Sequence, residues 1–172
     1  DEVALYRAQR RGFSTRPFLG IVHRLDRPTS GCLLYAGTLE AQRELQRQFR
    51  DRETRKVYWA VVEAPPSKES GVLEHHMRHD AAANKSWALT QPGPGTKAAR
   101  LSYRLLGTSD RYALLEVDLH TGRHHQIRAQ LAAIGVHIKG DLKYGARRSN
   151  PGGGIMLHAL ILEVTHPVSD DR

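Results

Sequence analysis

The chain has 172 residues, 40% of them hydrophobic and 26% charged, which suits one domain with its own core and no need of disulfide staples. A single cysteine, Cys32, excludes an intrachain disulfide, and no apolar run approaches the ~18 residues of a membrane-spanning helix. The 26 Lys and Arg exceed the 18 Asp and Glu, a net charge of +8 that points to a polyanionic partner, although a basic protein without one fits the same count. A soluble, cytoplasmic protein with no membrane partner is the expectation.

In chain order, residues 1–17 are polar and basic, with Arg7, Arg10, Arg11 and Arg16, and read as a loop or arm. Gly20-Ile21-Val22-His23 and Cys32-Leu33-Leu34-Tyr35 are apolar runs of strand length, with Cys32 read as a buried structural thiol. From Thr38, a fitting N-cap, Ala41, Leu45 and Phe49 recur at a spacing of four and predict a helix. Arg43, Arg47 and Arg50 share another face of it, either phosphate-facing or simply solvated. Residues 56–63 alternate as a strand that Pro65-Pro66 ends. Residues 73–77 and 86–90 read as a hairpin, and 91–95 as a turn by composition. Longer strands follow at 99–106 and 112–120. Thr121 is placed to cap a helix with Ile127, Leu131 and Ile134 on its apolar face and Gly135 as its terminator. Residues 150–154 form a loop and 156–164 a last strand. Many strands, few helices and no βαβ alternation argue for an α+β fold with a mostly antiparallel sheet.

Four strings carry chemistry: His23-Arg24-Leu25-Asp26-Arg27-Pro28-Thr29-Ser30-Gly31, Lys56-Val57-Tyr58-Trp59-Ala60-Val61-Val62, Thr121-Gly122-Arg123-His124-His125-Gln126-Ile127-Arg128 and Gly140-Asp141-Leu142-Lys143-Tyr144-Gly145. In this order they resemble the RluA-type RNA pseudouridine synthases, whose hallmarks are HRLDxxTSG, KxYxAxV, TGRxHQIRxxL and GDxxYG. The resemblance runs from about Gly20 to Pro167. It implies the pseudouridine synthase fold: α+β, a mixed but mostly antiparallel sheet with flanking helices and a central catalytic cleft. It also implies isomerisation of a specific uridine in structured RNA (rRNA or tRNA), with RNA as partner and no cofactor. The alternative is an inactive RNA-binding or RNA-folding module that keeps the fold.

By the same resemblance Asp26 is the nucleophile; taken alone it reads as a turn aspartate. A catalytic carboxylate needs to be held charged and aimed, and a guanidinium does both. Arg123 matches that partner. Tyr58 matches the tyrosine that stacks on the flipped uracil and serves as a base, although a strand tyrosine is more often structural. Arg24 matches the arginine that enters the place vacated by the flipped base, while Ile127 and Leu157 match apolar walls of the uracil pocket. His23 reads as structural. His75, His76 and His79, with His124-His125, invite a metal reading, but no cysteine partner or HExxH accompanies them, so no metal site is expected. The family usually places a strand and a KPxG-type loop before HRLD and continues past the final Thr-His-Pro. Residues 1–172 are therefore expected to be one catalytic domain, naturally short or truncated at both ends, and a monomer.

Overall fold

The computed structural model describes residues 2–12 and 17–168. In chain order these form α1 (Glu2–Arg11), β1 (Gly20–Ile21), β2 (Ser30–Gly31), β3 (Tyr35–Ala36), α2 (Leu39–Asp51), β4 (Arg55–Val62) and β5 (Ser70–Asp80). They continue as β6 (Lys85–Leu89), β7 (Lys97–Thr108), β8 (Ala113–Leu119), α3 (Gln126–Ala133), a 3-10 turn (Leu142–Tyr144) and β9 (Leu157–Glu163). The chain divides into two compact units. One takes residues up to 25, 33–54 and those from 163 onward; the other takes 26–32 and 55–162.

In the first unit, β1 pairs antiparallel with β3, Gly20 opposite Ala36 and Ile21 opposite Tyr35. Thr38 caps α2 as expected, its Oγ1 accepting the Ala41 N–H at 3.2 Å. The predicted face of Ala41, Leu45 and Phe49 packs with Val22 and Ala36. Arg52 ends the helix in the left-handed conformation (φ 64°), its N–H donating to Gln48 O. Arg47 is not a free phosphate ligand: it lies 2.8 Å from Glu44, 3.3 Å from Asp51 and 2.6 Å from Glu53. The expected N-terminal arm is instead helical over Glu2–Arg11, while Arg16 lies outside the described residues. The reading as an arm followed charge, but the stretch lacks Gly and Pro and is rich in Ala, Leu, Gln and Arg, which favour helix.

The second unit is built on a seven-stranded sheet of order β2-β9-β4-β8-β7-β5-β6. From β4 through β8, β7 and β5 to β6 each neighbour runs antiparallel, and β2 joins β9 in parallel. The mixed, mostly antiparallel sheet expected from the sequence is thus the one observed. Alternate residues of the central strands point inward, so Ala60, Val62, Leu101, Tyr103, Leu115 and Val117 form the core with Ile127 and Leu131 of α3. Of the expected strands β5 and β7 run longer, β4 and β6 keep their length one residue earlier, and β8 and β9 are shorter, with β5 and β6 closing a hairpin through Asn84 at φ 44°. The two N-terminal runs are corrected: 20–23 keeps only Gly20–Ile21, 32–35 keeps only Tyr35, and Ser30–Gly31 between them forms β2 because it pairs with β9 far along the chain. Cys32 departs from expectation. It is exposed, its thiol 3.4 Å from Leu160 O, because the segment lies beside an edge strand rather than inside a core.

Thr121 does not cap α3. The residue at the cap position is His125, itself left-handed (φ 52°), and no side chain caps it. Thr121 Oγ1 instead accepts the Arg100 N–H at 2.9 Å and donates to Gln126 Oε1 at 2.8 Å. Gly135 follows the helix with φ 75°, the terminator its position predicted. Of the predicted apolar face, Ile127 and Leu131 are buried and Ile134 is exposed.

Candidate active site

Asp26 sits at the head of a tight turn, where Thr29 N–H donates to Asp26 O at 2.8 Å across Arg27-Pro28. The turn is anchored on both sides: Ile155 N–H donates to Pro28 O at 3.0 Å, and Cys32 N–H to Ala159 O at 2.8 Å. Gly31 makes that anchoring possible. It has φ 120°, and a Cβ there would overlap the backbone of Ala159 in β9. The glycine of the TSG string therefore lets one strand edge close on the other and places Asp26 at the end of the join.

Asp26 is met from α3. Arg128, whose side chain is 5% exposed, places Nη1 3.2 Å from Asp26 Oδ2. The same guanidinium donates from Nε to Asp141 Oδ2 at 2.7 Å and from Nη2 to Asp141 Oδ1 at 2.8 Å, a two-pronged pair that fixes its plane. Asp141 is 1% exposed, directly after Gly140, and the Tyr144 ring lies beneath the guanidinium at 4.9 Å. Burial works against the charge on Arg128, but Asp141 and Asp26 outweigh it and raise its pKa.

The expected pairing of Asp26 with Arg123 is therefore corrected to Arg128. Arg123 lies in the turn before the helix, where its own carbonyl accepts the Gln126 N–H, and its Nε donates to Ala98 O at 3.0 Å. That turn directs it to the β7 backbone. Arg128, one helical turn further on, faces Asp26. A sequence signal existed: Arg128 stands among Ile127, Ala129, Leu131 and Ala132, and an arginine in an apolar helical stretch needs a buried counter-charge.

His125 lies on the same carboxylate, Nε2 3.8 Å from Asp26 Oδ2, and its Nδ1 is 2.9 Å from Tyr144 Oη. That hydroxyl oxygen accepts the Ser86 N–H at 2.8 Å. His124 stacks on His125 with ring centres 3.7 Å apart, and is held by Ser86 Oγ and Asn84 Oδ1 of the β5–β6 hairpin. Tyr58, on β4 opposite Val117, packs against the core cluster that includes Ile127 and Leu157. Burial, with the nearby charge of Asp26, pushes its phenol up to about 12.

The charge of Asp26 thus reaches the Tyr58 phenol, and Ile127 and Leu157 belong to the core cluster on which that tyrosine packs. Arg24 is exposed in the first unit. His23 has the structural place expected of it, Nε2 accepting the Leu34 N–H at 3.0 Å with the ring stacked on Phe49. The residues missed as participants are Arg128, Asp141, His125 and Tyr144. All lie in the quoted strings, yet only folding shows that two loops and one helix converge. Among the described residues no group of three or more His, Cys, Asp and Glu side chains is placed to hold a metal ion, and no helix is long and apolar enough to cross a membrane. A half-buried carboxylate held by a buried guanidinium beside a protonated phenol can act as nucleophile or as base.

A family model described as RNA pseudouridylate synthase matches residues 2–133. An uncharacterized RNA pseudouridine synthase of Chloroflexus aurantiacus is 43% identical over 159 residues, covering 92% of this chain and 48% of that protein. Ribosomal large subunit pseudouridine synthase D of Nitrosomonas europaea is 38% identical over 161 residues, covering 89% and 46%. The chain thus spans about half the length of these curated relatives. Among solved structures, human RNA pseudouridylate synthase domain containing 1 superposes with a TM-score of 0.75 at 25% identity, covering 94% of this chain and 69% of that one.

Proposed function

We propose that this chain, a member of the RNA pseudouridylate synthase family, isomerises a specific uridine of structured RNA, ribosomal or transfer, with Asp26 as the nucleophile. The observation that carries the reading is the half-buried Asp26 carboxylate, gripped by an arginine that a second, fully buried carboxylate holds in place. Such a group is aimed in advance, and it needs no rearrangement when substrate arrives.

The reaction breaks the bond between the sugar C1′ and uracil N1, turns the base, and joins C1′ to C5. The C5 proton leaves to a base and N1 gains one. Nothing is oxidised or reduced overall, so acid–base and nucleophilic groups are sufficient and no cofactor is called for. Asp26 adds to the ring or sugar, Tyr58 stacks on the base and handles a proton, and Ile127 and Leu157 back the pocket. Arg24 occupies the place in the RNA that the flipped nucleotide leaves. The net charge of +8 favours the phosphate backbone, and the relative from Nitrosomonas europaea carries the large ribosomal subunit in its name. The enzyme acts as a cytoplasmic monomer.

The test is incubation with total RNA followed by mapping of new pseudouridines, for wild type, Asp26→Ala and Asp26→Asn. Wild type is expected to modify a discrete site and both variants none, with RNA affinity within several-fold of wild type because phosphate contacts dominate it. Turnover by Asp26→Ala overturns the nucleophile. RNA binding without modification by wild type favours the inactive module.

A further inference from the structure

The contacts around Asp26 are one-sided. Arg128 Nη1 meets Oδ2 at 3.2 Å and His125 Nε2 faces the same oxygen at 3.8 Å, while Oδ1 has no hydrogen bond or ion pair among the described residues. What His125 presents to Oδ2, a proton or a lone pair, is decided one residue further out. Tyr144 Oη accepts the Ser86 N–H and lies 2.9 Å from His125 Nδ1.

Suppose Nδ1 carried the ring proton. The tyrosine oxygen would then face two donors, its own hydrogen would lack this acceptor in a buried site, and the Nε2 lone pair would face a carboxylate. With the proton on Nε2 all three conflicts vanish: Ser86 N–H donates to Oη, the hydroxyl donates to Nδ1, and the positive end of Nε2–H rather than a lone pair lies near Asp26 Oδ2, at an electrostatic 3.8 Å rather than in a hydrogen bond. Tyr144 and His125 are 6% and 8% exposed, so water does not readily substitute for either bond. The chain also accepts strain to put the ring there, since His125 is a non-glycine residue at φ 52°.

We infer that His125, locked in its Nε2–H tautomer by the Tyr144 hydroxyl, is a positioning residue that anchors Oδ2 of Asp26 together with Arg128 and so reserves Oδ1 as the reacting oxygen. The role of Oδ1 rests on the proposed function; the tautomer lock does not. His124 stacks on one side of His125 and Tyr144 meets it edge-on at 5.6 Å, leaving the imidazole little freedom to turn. The charged and titratable groups facing it are Asp26, Arg128, His124, Lys143 and Tyr144. Burial leads, Asp26 opposes it, and the positive groups add to it, so the ring's pKa falls to about 4 and it stays neutral at physiological pH.

The experiment pairs nitrogen NMR of histidine-labelled protein with single-turnover assays. In the free wild type at pH 7.5, His125 is expected to show a protonated Nε2 and an unprotonated Nδ1. Tyr144→Phe removes only the hydroxyl; it should yield a mixture of tautomers and a single-turnover rate about 10- to 100-fold lower, with RNA affinity unchanged. A purely structural tyrosine would lower stability without moving the ring signals. A protonated Nδ1 or an imidazolium in wild type overturns the lock, as does Tyr144→Phe with its tautomer and rate intact. Should that variant fail to fold, the wild-type signals still decide. Wild type that forms no pseudouridine overturns the functional reading by itself, while the ring signals judge the lock independently.

Discussion

Arg128 donates to two carboxylates at once, holding buried Asp141 at two points and Asp26 at one. Arg128→Lys keeps the charge but cannot hold Asp141 at two points and still reach Asp26. Its single-turnover rate is expected to fall by at least 10²-fold, whereas Arg123→Lys, which gives up a bond to Ala98 O, stays within about tenfold of wild type. The reverse order in single-turnover assays would restore the pairing read from the motif. Tyr58 makes a second test at this scale. With its pKa near 12, the phenolate fraction rises tenfold per pH unit throughout the working range. If that oxygen takes a substrate proton, the wild-type rate climbs with pH, and Tyr58→Phe loses about 10²–10⁴-fold. That outcome is expected. A near-normal Tyr58→Phe rate would leave the ring as a stacking platform and Asp26 as the proton acceptor.

Short elements at the sheet edge carry as much of the site as the long strands do. Only two residues form β2, yet they set where Asp26 begins, and Gly31 permits their close approach to Ala159. Gly31→Ala combines a forbidden backbone angle with overlap against a main chain that cannot move away. A loss of about 1–3 kcal/mol or more is expected in denaturant melts, along with a fall in activity beyond what stability explains. An unchanged midpoint would mean that the strand edge opens at little cost. Helix α3 shows the same economy. Gln126, Arg128 and Gln130 are buried in it because each finds hydrogen-bond partners there: Gln126 bonds Thr121 Oγ1 and Arg100 O, Arg128 bonds Asp141, and Gln130 bonds Leu73 O.

At the scale of the whole molecule, the net charge of +8 is the property that would govern encounter with the proposed RNA substrate. Contact with about five or six phosphates would weaken binding by about 10²–10³-fold between 50 and 200 mM salt, since each releases counterions. Filter binding across that range should show this slope for wild type and Asp26→Asn alike, and a flat response would argue against phosphate-led recognition. The rate of pre-bound RNA should depend far less on salt, because the Arg128–Asp141 pair is sheltered from solvent.

Local pattern alone was enough to set the strands from β4 to β9, α2 with its Thr38 cap and the terminator Gly135, because alternation, helical spacing and caps act among near neighbours. The order of the four strings was likewise enough to indicate the family, and it is the ground on which Asp26 and Tyr58 are proposed. Pairing across the chain was not legible in the same way. Arg123 and Arg128 stand in one string with the same charge, and 102 residues separate Arg128 from Asp26, so no spacing rule could choose between them. The choice came from the left-handed residue at His125, which starts α3 late and turns Arg128 rather than Arg123 toward the carboxylate. Cys32 is exposed for a related reason: an apolar run states a preference for burial, but only the sheet order decides which strands lie at an edge. The residue types came from the chain, and their partners from the packing that brings distant segments together.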